Sequence, residues 1–197
     1  MADFRRVHDG QCYFFTVVSY RRRPILCDPP VRQSLRQAVL DVRQNFDFKI
    51  DAWVLLPDHI HAIWTLPEGD CDYSRRWALI KRKVSQDCGF LYPWHHAAEV
   101  QKRRNESFIW QRRFWEHCIR DESDYRKHMD YIHFNPVKHG LTASVSDWQY
   151  STFHRHVRNG MYPADWGGVA DADNQDMDFG EPDRKSTRLN SSHSGES

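Results

Sequence analysis

His59 and His61 stand two residues apart in the apolar stretch Val54-Leu55-Leu56-Pro57-Asp58-His59-Ile60-His61-Ala62-Ile63-Trp64. Side chains alternate faces along a strand, so these imidazoles share one face while Ile60, Ala62 and Trp64 take the other. Two imidazoles so placed can hold one divalent cation, although two packed histidines would carry the same spacing. A second stretch lies seventy residues on: Asp130-Tyr131-Ile132-His133-Phe134-Asn135-Pro136-Val137-Lys138-His139-Gly140-Leu141. Tyr131 and Asn135 are four apart and share a helix face, and His128 precedes Tyr131 by one turn on that side. If this helix crosses the histidine face of a sheet, Asn135 can be a third metal ligand. Tyr131 can then reach a phosphate held by the metal.

A tyrosine hydroxyl, with an unperturbed pKa of about 10, is a poor nucleophile at neutral pH. A divalent cation on a non-bridging phosphate oxygen would polarise a phosphodiester and favour phenolate beside it. In-line attack would leave a 5′-phosphotyrosine and a free 3′-hydroxyl. The covalent link conserves the energy of the phosphodiester, so the same site could rejoin strands without ATP. Taken alone, Tyr131 also fits a packed tyrosine.

The elements that must position these groups follow from periodicity. Cys12 to Tyr20 is aromatic and β-branched and reads as a first strand. After Pro29-Pro30, the positions Val31, Leu35, Val39, Val42 and Phe46 mark a helix, with Arg32, Arg36 and Arg43 falling elsewhere. Phe48, Ile50, Ala52 and Val54 alternate with Lys49, Asp51 and Trp53, giving a second strand. Pro57-Asp58 turns the chain into a third, from His59 to Leu66. Asp72 or Ser74 can cap a second helix with the stripe Trp77, Ile80, Val84 and Cys88, closed by Gly89.

Residues 89–106, with His95-His96, read as a loop, and Ser107 to Ile119 as a fourth strand bent near its arginine pair. Asp121 or Ser123 can cap a third helix, expected to stop near Asn135 because Pro136 cannot continue it. The order fits an α+β fold: a ferredoxin-like antiparallel sheet, β-α-β-β-α-β, plus an additional C-terminal helix carrying the tyrosine. Leu141 to His156 should pack back as a short element.

Composition sets the wider bounds. Residues 1–160 hold 25 Lys and Arg against 19 Asp and Glu, whereas 161–197 hold 3 against 8. We therefore expect one basic domain over residues 1–158, suited to a polyanion, and an acidic, largely disordered tail over 159–197. The five cysteines are scattered and never spaced as C-x-x-C, which points to reduced thiols. There is no secretory h-region and no apolar run of bilayer length, so a cytoplasmic location without membrane association is expected. No amphipathic segment is left over once the fold is assembled, which favours a monomer.

His59-Ile60-His61 matches the His-hydrophobic-His signature of the HUH single-strand nucleases. The Tyr131 stretch, with Trp110-Gln111-Arg112-Arg113-Phe114-Trp115-Glu116-His117, resembles the REP-associated tyrosine transposases, relatives of the single-tyrosine insertion-sequence transposases. The likeness runs from about Phe46 to His154. It implies a Mg²⁺ or Mn²⁺ site at His59, His61 and Asn135, with Tyr131 as nucleophile, although many single-tyrosine enzymes have Gln where this chain has Asn135. It also implies a single-stranded DNA substrate, the repetitive extragenic palindromes that fold as hairpins.

In that frame Arg21, Arg22, Arg23, Arg75, Arg76, Lys81, Arg82, Lys83, Arg112 and Arg113 are candidates for phosphate contacts, which position DNA without reading it. Trp110 and Trp115 could stack bases, and His117 and His133 could tune the site, though His133 should face elsewhere. The alternatives are a plasmid-type HUH replication initiator or relaxase and a non-catalytic ferredoxin-like nucleic-acid binder. The first usually needs further domains. The second would carry a K/R-G-F/Y-x-F strand motif that is absent.

Overall fold

A computed structural model describes residues 11–93 and 108–167. The His95-His96 pair and the acidic tail beyond residue 167 lie outside the described residues.

β1 (Cys12–Val18) is hydrogen-bonded on one side to β3 (His59–Thr65) and on the other to β4 (Trp115–Cys118). β2 (Lys49–Leu55) pairs with β3, so the antiparallel sheet runs β2-β3-β1-β4, the split β-α-β-β-α-β arrangement. Alternation divides the sheet into two cores. Tyr13, Phe15 and Val17 with Ile60, Ala62 and Trp64 pack under α1 (Pro29–Asn45) and α2 (Tyr73–Cys88). Cys12, Phe14 and Ile63 pack under α3 (Glu122–Lys138). Asp72 caps α2 by accepting from the Arg75 amide, and Trp77 of that helix stacks on Trp64 at 4.2 Å and 14°.

Three expectations need correction. The strict alternation in β2 fails at Asp51, where the register passes from Ile50 opposite Trp64 to Ala52 opposite Ile63. The extra residue is a bulge, and it turns Trp53 and Leu55 to the side of Ile50 while Ala52 and Val54 face α3. Asp51 is buried there, accepting from Thr65 Oγ1 and paired with Lys49 at 2.8 Å. The fourth strand is only four residues long. The chain before it touches the sheet at one bridge, Ser19 to Trp110, and Trp110 is buried in the core rather than offered to bases. Finally, α3 does not stop at Asn135. Pro136 lies inside it, and the His139 amide resumes the ladder by donating to the Asn135 carbonyl at 3.0 Å. Proline removes one helical donor without forbidding the turns that follow.

After α3 the chain returns along the outer edge of β2. The Leu55 amide donates to the Tyr150 carbonyl and the Thr152 amide to the Trp53 carbonyl, both at 2.9 Å, before α4 (Phe153–Arg158). Packing continues past residue 158: Tyr162 and Trp166 lie against Phe153, at ring separations of 5.7 and 6.0 Å. All five cysteines are free thiols, and no described helix is long and apolar enough to cross a membrane.

Candidate active site

β3 presents His59 and His61 to α3 with 1% and 0% exposure, their rings 4.7 Å apart. The register sets Thr16 of β1 directly opposite His61, and Thr16 Oγ1 lies 2.9 Å from His61 Nδ1. Asp58, in the turn before β3, holds the other ring, with His59 Nδ1 at 2.7 Å from its Oδ1. Burial alone would raise the Asp58 carboxyl, but its bonds to His59 and Arg22 outweigh that and hold it at about 2. It is thus ionised at neutral pH and can only accept, so His59 Nδ1 carries the proton of this bond and Nε2 is the ring nitrogen left to face a ligand.

Arg22 reaches Asp58 Oδ2 at 3.0 Å from a turn in which Arg21 and Arg22 hold φ of 54° and 53°. That left-handed backbone costs roughly 1–2 kcal/mol per residue for non-glycine side chains. The turn is tied down by the Ser19 amide donating to the Asp58 carbonyl and the Leu26 amide to the Pro57 carbonyl, both at 2.8 Å.

α3 meets this face with one row of side chains. The Tyr131 ring lies 5.2 Å from that of His61, and the His139 ring 5.2 Å from that of His59. Asn135, fully buried, is one turn from each of them, so the row brings it between the two contacts with the histidine pair. Tyr131 is 7% exposed, edge-on to Phe14. Lys138 Nζ donates to the Tyr131 hydroxyl at 3.2 Å and lies 4.5 Å from the ring centroid. Sequence reasoning placed His59, His61, Tyr131 and Asn135 but missed Asp58, Lys138 and His139. The last two sit seven and eight residues beyond Tyr131, two turns on, and a helix carried through Pro136 would have reached them.

His128 does not join that row. The Phe14 ring stands 4.7 Å from it and 6.2 Å from Tyr131. His128 stacks on His117 at 4.9 Å, and Asp124 lies between them, 2.8 Å from His117 Nε2 and 3.1 Å from His128 Nδ1. Among the described residues, His117, Asp124 and His128 form a group compact enough for one cation. Its atoms already bond one another, however, and Asp124 Oδ2 also accepts the Arg120 amide at the start of α3. Burial pushes the His128 imidazole down to about 4. His133 faces away from Tyr131, as expected, against Phe153, His156 and Tyr162.

The ten basic residues proposed for phosphates divide. Arg76 is 2% exposed and bonds Asp70 twice and the Asp72 and Asp47 carbonyls, so it is an internal strut. Lys81 donates to the Gln111 and Arg112 carbonyls, and burial lowers its ammonium to about 8. Arg22 serves Asp58, Arg23 donates to the Tyr92 carbonyl and Lys83 pairs with Asp87. Arg75 lies over Phe46, and Arg21, Arg82, Arg112 and Arg113 are exposed. Trp115 is half-buried and lies parallel to His117 at 5.9 Å.

The chain is similar to known proteins over most of its length. The family described as "Transposase IS200 like" matches residues 8–135. A REP-associated tyrosine transposase of Escherichia coli K12 is 48% identical over 169 residues, covering 85% of this chain and 92% of the relative. A Haemophilus influenzae Rd relative is 40% identical over 176 residues, covering 87% and 96%. A solved structure described as the REP-associated tyrosine transposase bound to a REP hairpin superposes with a TM-score of 0.70. It is 46% identical and covers 87% of this chain and 94% of that one.

Proposed function

The chain belongs to the IS200-like transposase family, among the REP-associated tyrosine transposases, and on that premise we propose that it nicks and rejoins single-stranded DNA at palindromic repeat hairpins through Tyr131. The observation that carries the proposal is the approach of the Tyr131 ring to 5.2 Å from that of His61, with Asn135 in the next turn of the same helix.

Two imidazoles and an amide oxygen form a nitrogen–oxygen donor set suited to Mg²⁺ or Mn²⁺ with water completing the shell. His59 and His61 would bind through Nε2, since their Nδ1 atoms face Asp58 and Thr16, and Asn135 through Oδ1. Bound there, the ion supplies Lewis acidity to a non-bridging phosphate oxygen. We prefer this set to the His117, Asp124 and His128 group because the latter's carboxylate is also committed to the start of a helix.

Tyr131 Oη attacks phosphorus in line, loses its proton to solvent and forms the 5′-phosphotyrosine. The 3′-oxygen leaves and takes up a proton. Lys138 favours the phenolate by its charge. Rejoining reverses these bonds without ATP.

Labelled hairpin DNA incubated with the protein and Mn²⁺, then run on a denaturing gel, tests the proposal. Wild type should give a covalent adduct and Tyr131→Phe none, with hairpin binding retained. His59→Ala, His61→Ala or EDTA should abolish cleavage. Adducts formed by Tyr131→Phe at the wild-type rate would disprove the nucleophile assignment.

A further inference from the structure

The reading above leaves unexplained a groove of about 1300 Å³ along the β2 edge, between α1 and α4. Arg32, Arg36 and Arg43 line one wall from a single stripe of α1 that spans about 16 Å at 1.5 Å per residue. Arg155 and Arg158 line the other wall from α4. Asp51 is the acidic side chain of the lining among the described residues, and Lys49, also in the lining, pairs with it at 2.8 Å. Arg155 Nη2 donates to the Ile50 and Asp51 carbonyls and Arg43 Nε to the Phe48 carbonyl, whereas Arg36 and Arg158 have no acidic partner in the walls among the described residues. Arg36, Arg43 and Arg158 are exposed, and Arg32 Nε is shut away from solvent with no hydrogen-bond acceptor among the described residues. Like charges held along two facing rows repel one another unless an anion lies between them.

The aromatic residues of the groove are already used. Arg32 covers Tyr150 at 4.6 Å, and Trp53 lies parallel to Trp77 at 6.0 Å. Single-stranded binders need open ring faces on which bases stack, whereas a duplex offers its phosphates to guanidinium groups and keeps its bases paired.

We propose that this groove binds the phosphate backbone of the duplex stem of the hairpin substrate, apart from the residues around Tyr131. The proposal rests on the DNA-processing reading above. None of the arginines in the walls belongs to the ten selected from sequence, because three of them read there only as the solvent side of an amphipathic helix.

The test uses the full chain and two probes: a DNA hairpin with a single-stranded foot, and the foot alone. Affinity is measured across a salt series for wild type and for the double variant Arg36→Gln, Arg158→Gln. Arg36→Glu, Arg158→Glu is a second variant, and thermal midpoints report folding.

Each lost phosphate contact should lower the log–log salt slope by about 0.9, so the double variant should fall by about 1.8 on the hairpin. Cleavage of the foot alone should be unchanged. An unchanged slope in both folded variants, with wild-type cleavage intact, overturns the groove and leaves the catalytic reading standing. If wild type neither binds the hairpin nor forms an adduct, both fail. Loss of binding confined to an RNA hairpin of the same sequence would overturn the assignment to DNA.

Discussion

Lys138→Met should slow the formation of the covalent adduct about tenfold without a matching loss of DNA affinity. The ammonium nitrogen is 3.2 Å from the Tyr131 hydroxyl, and Lys138 is otherwise exposed, so the dielectric of water is the fair choice. Coulomb's law at that separation and dielectric gives about 1.3 kcal/mol in favour of phenolate. At about 1.4 kcal/mol per decade, this is roughly a ninefold change in rate if the phenolate attacks. The assay is single-turnover adduct formation with protein in excess, Mn²⁺ present and hairpin DNA labelled. Lys138→Arg keeps the charge and should retain most of the rate. Added salt should narrow the gap between wild type and Lys138→Met, because an exposed charge is screened. An unaltered rate in Lys138→Met at low salt would refute the reasoning. So would a rate loss that disappears once DNA is saturating, since Lys138 would then merely bind phosphate.

Asp58→Asn should weaken Mn²⁺ binding by about ten- to a hundredfold, the usual effect of removing the partner that orients a ligating histidine. Titration of free Mn²⁺ by electron paramagnetic resonance checks this, and equal affinity would show that the His59 contact is idle. Arg76→Met should cost about 3 kcal/mol of stability, because it strips a buried charge from Asp70 and two carbonyls, yet leave hairpin affinity unchanged. Reduced affinity at an unchanged urea midpoint would return Arg76 to the DNA surface.

Burial holds the folded His128 imidazole at about 4, below its ordinary 6.5, so the unfolded chain takes up the proton first. Stability is therefore complete above pH 6.5 and falls as pH drops toward 4, by up to about 3 kcal/mol from this group. Urea midpoints at pH 7.5 and 5 should show the fall, and His128→Gln should reduce it; identical wild-type midpoints would contradict it.

The fold was legible where one rule acted alone. Apolar spacing gave α1 and α2, and runs of apolar, strand-forming residues gave β1 and β3, because each helix presses one face into a core and each strand buries both. Three places were illegible because a second influence acted there. In β2 a bulge at Asp51, paired with Thr65 and Lys49, reverses the alternation, and no local residue type announces it. At Pro136 the helix continues, because proline lacks only its own amide donor and the His139 amide still reaches the Asn135 carbonyl. Ahead of the short fourth strand, Lys81 takes the carbonyls of Gln111 and Arg112 while the Gln111 amide still donates to the Val18 carbonyl.

For the candidate site, residue type and spacing singled out His59, His61, Tyr131 and Asn135, which the structure places on β3 and the facing helix. Which arginines have internal partners was not legible. Arg76 and Arg22 look no different in sequence from a solvated arginine until Asp70 and Asp58 are brought beside them.

The segment that returns beside β2 has a consequence for how the molecule can fail. Tyr150, Thr152 and Arg155 together occupy the outward amides of Trp53 and Leu55 and the carbonyls of Ile50, Asp51 and Trp53. A polypeptide ending soon after α3 would keep the histidines, the phenol and the amide, yet bare that row of donors and acceptors to any passing strand. Its first defect would be self-adhesion into insoluble ribbons, with the chemistry still nominally assembled inside each copy.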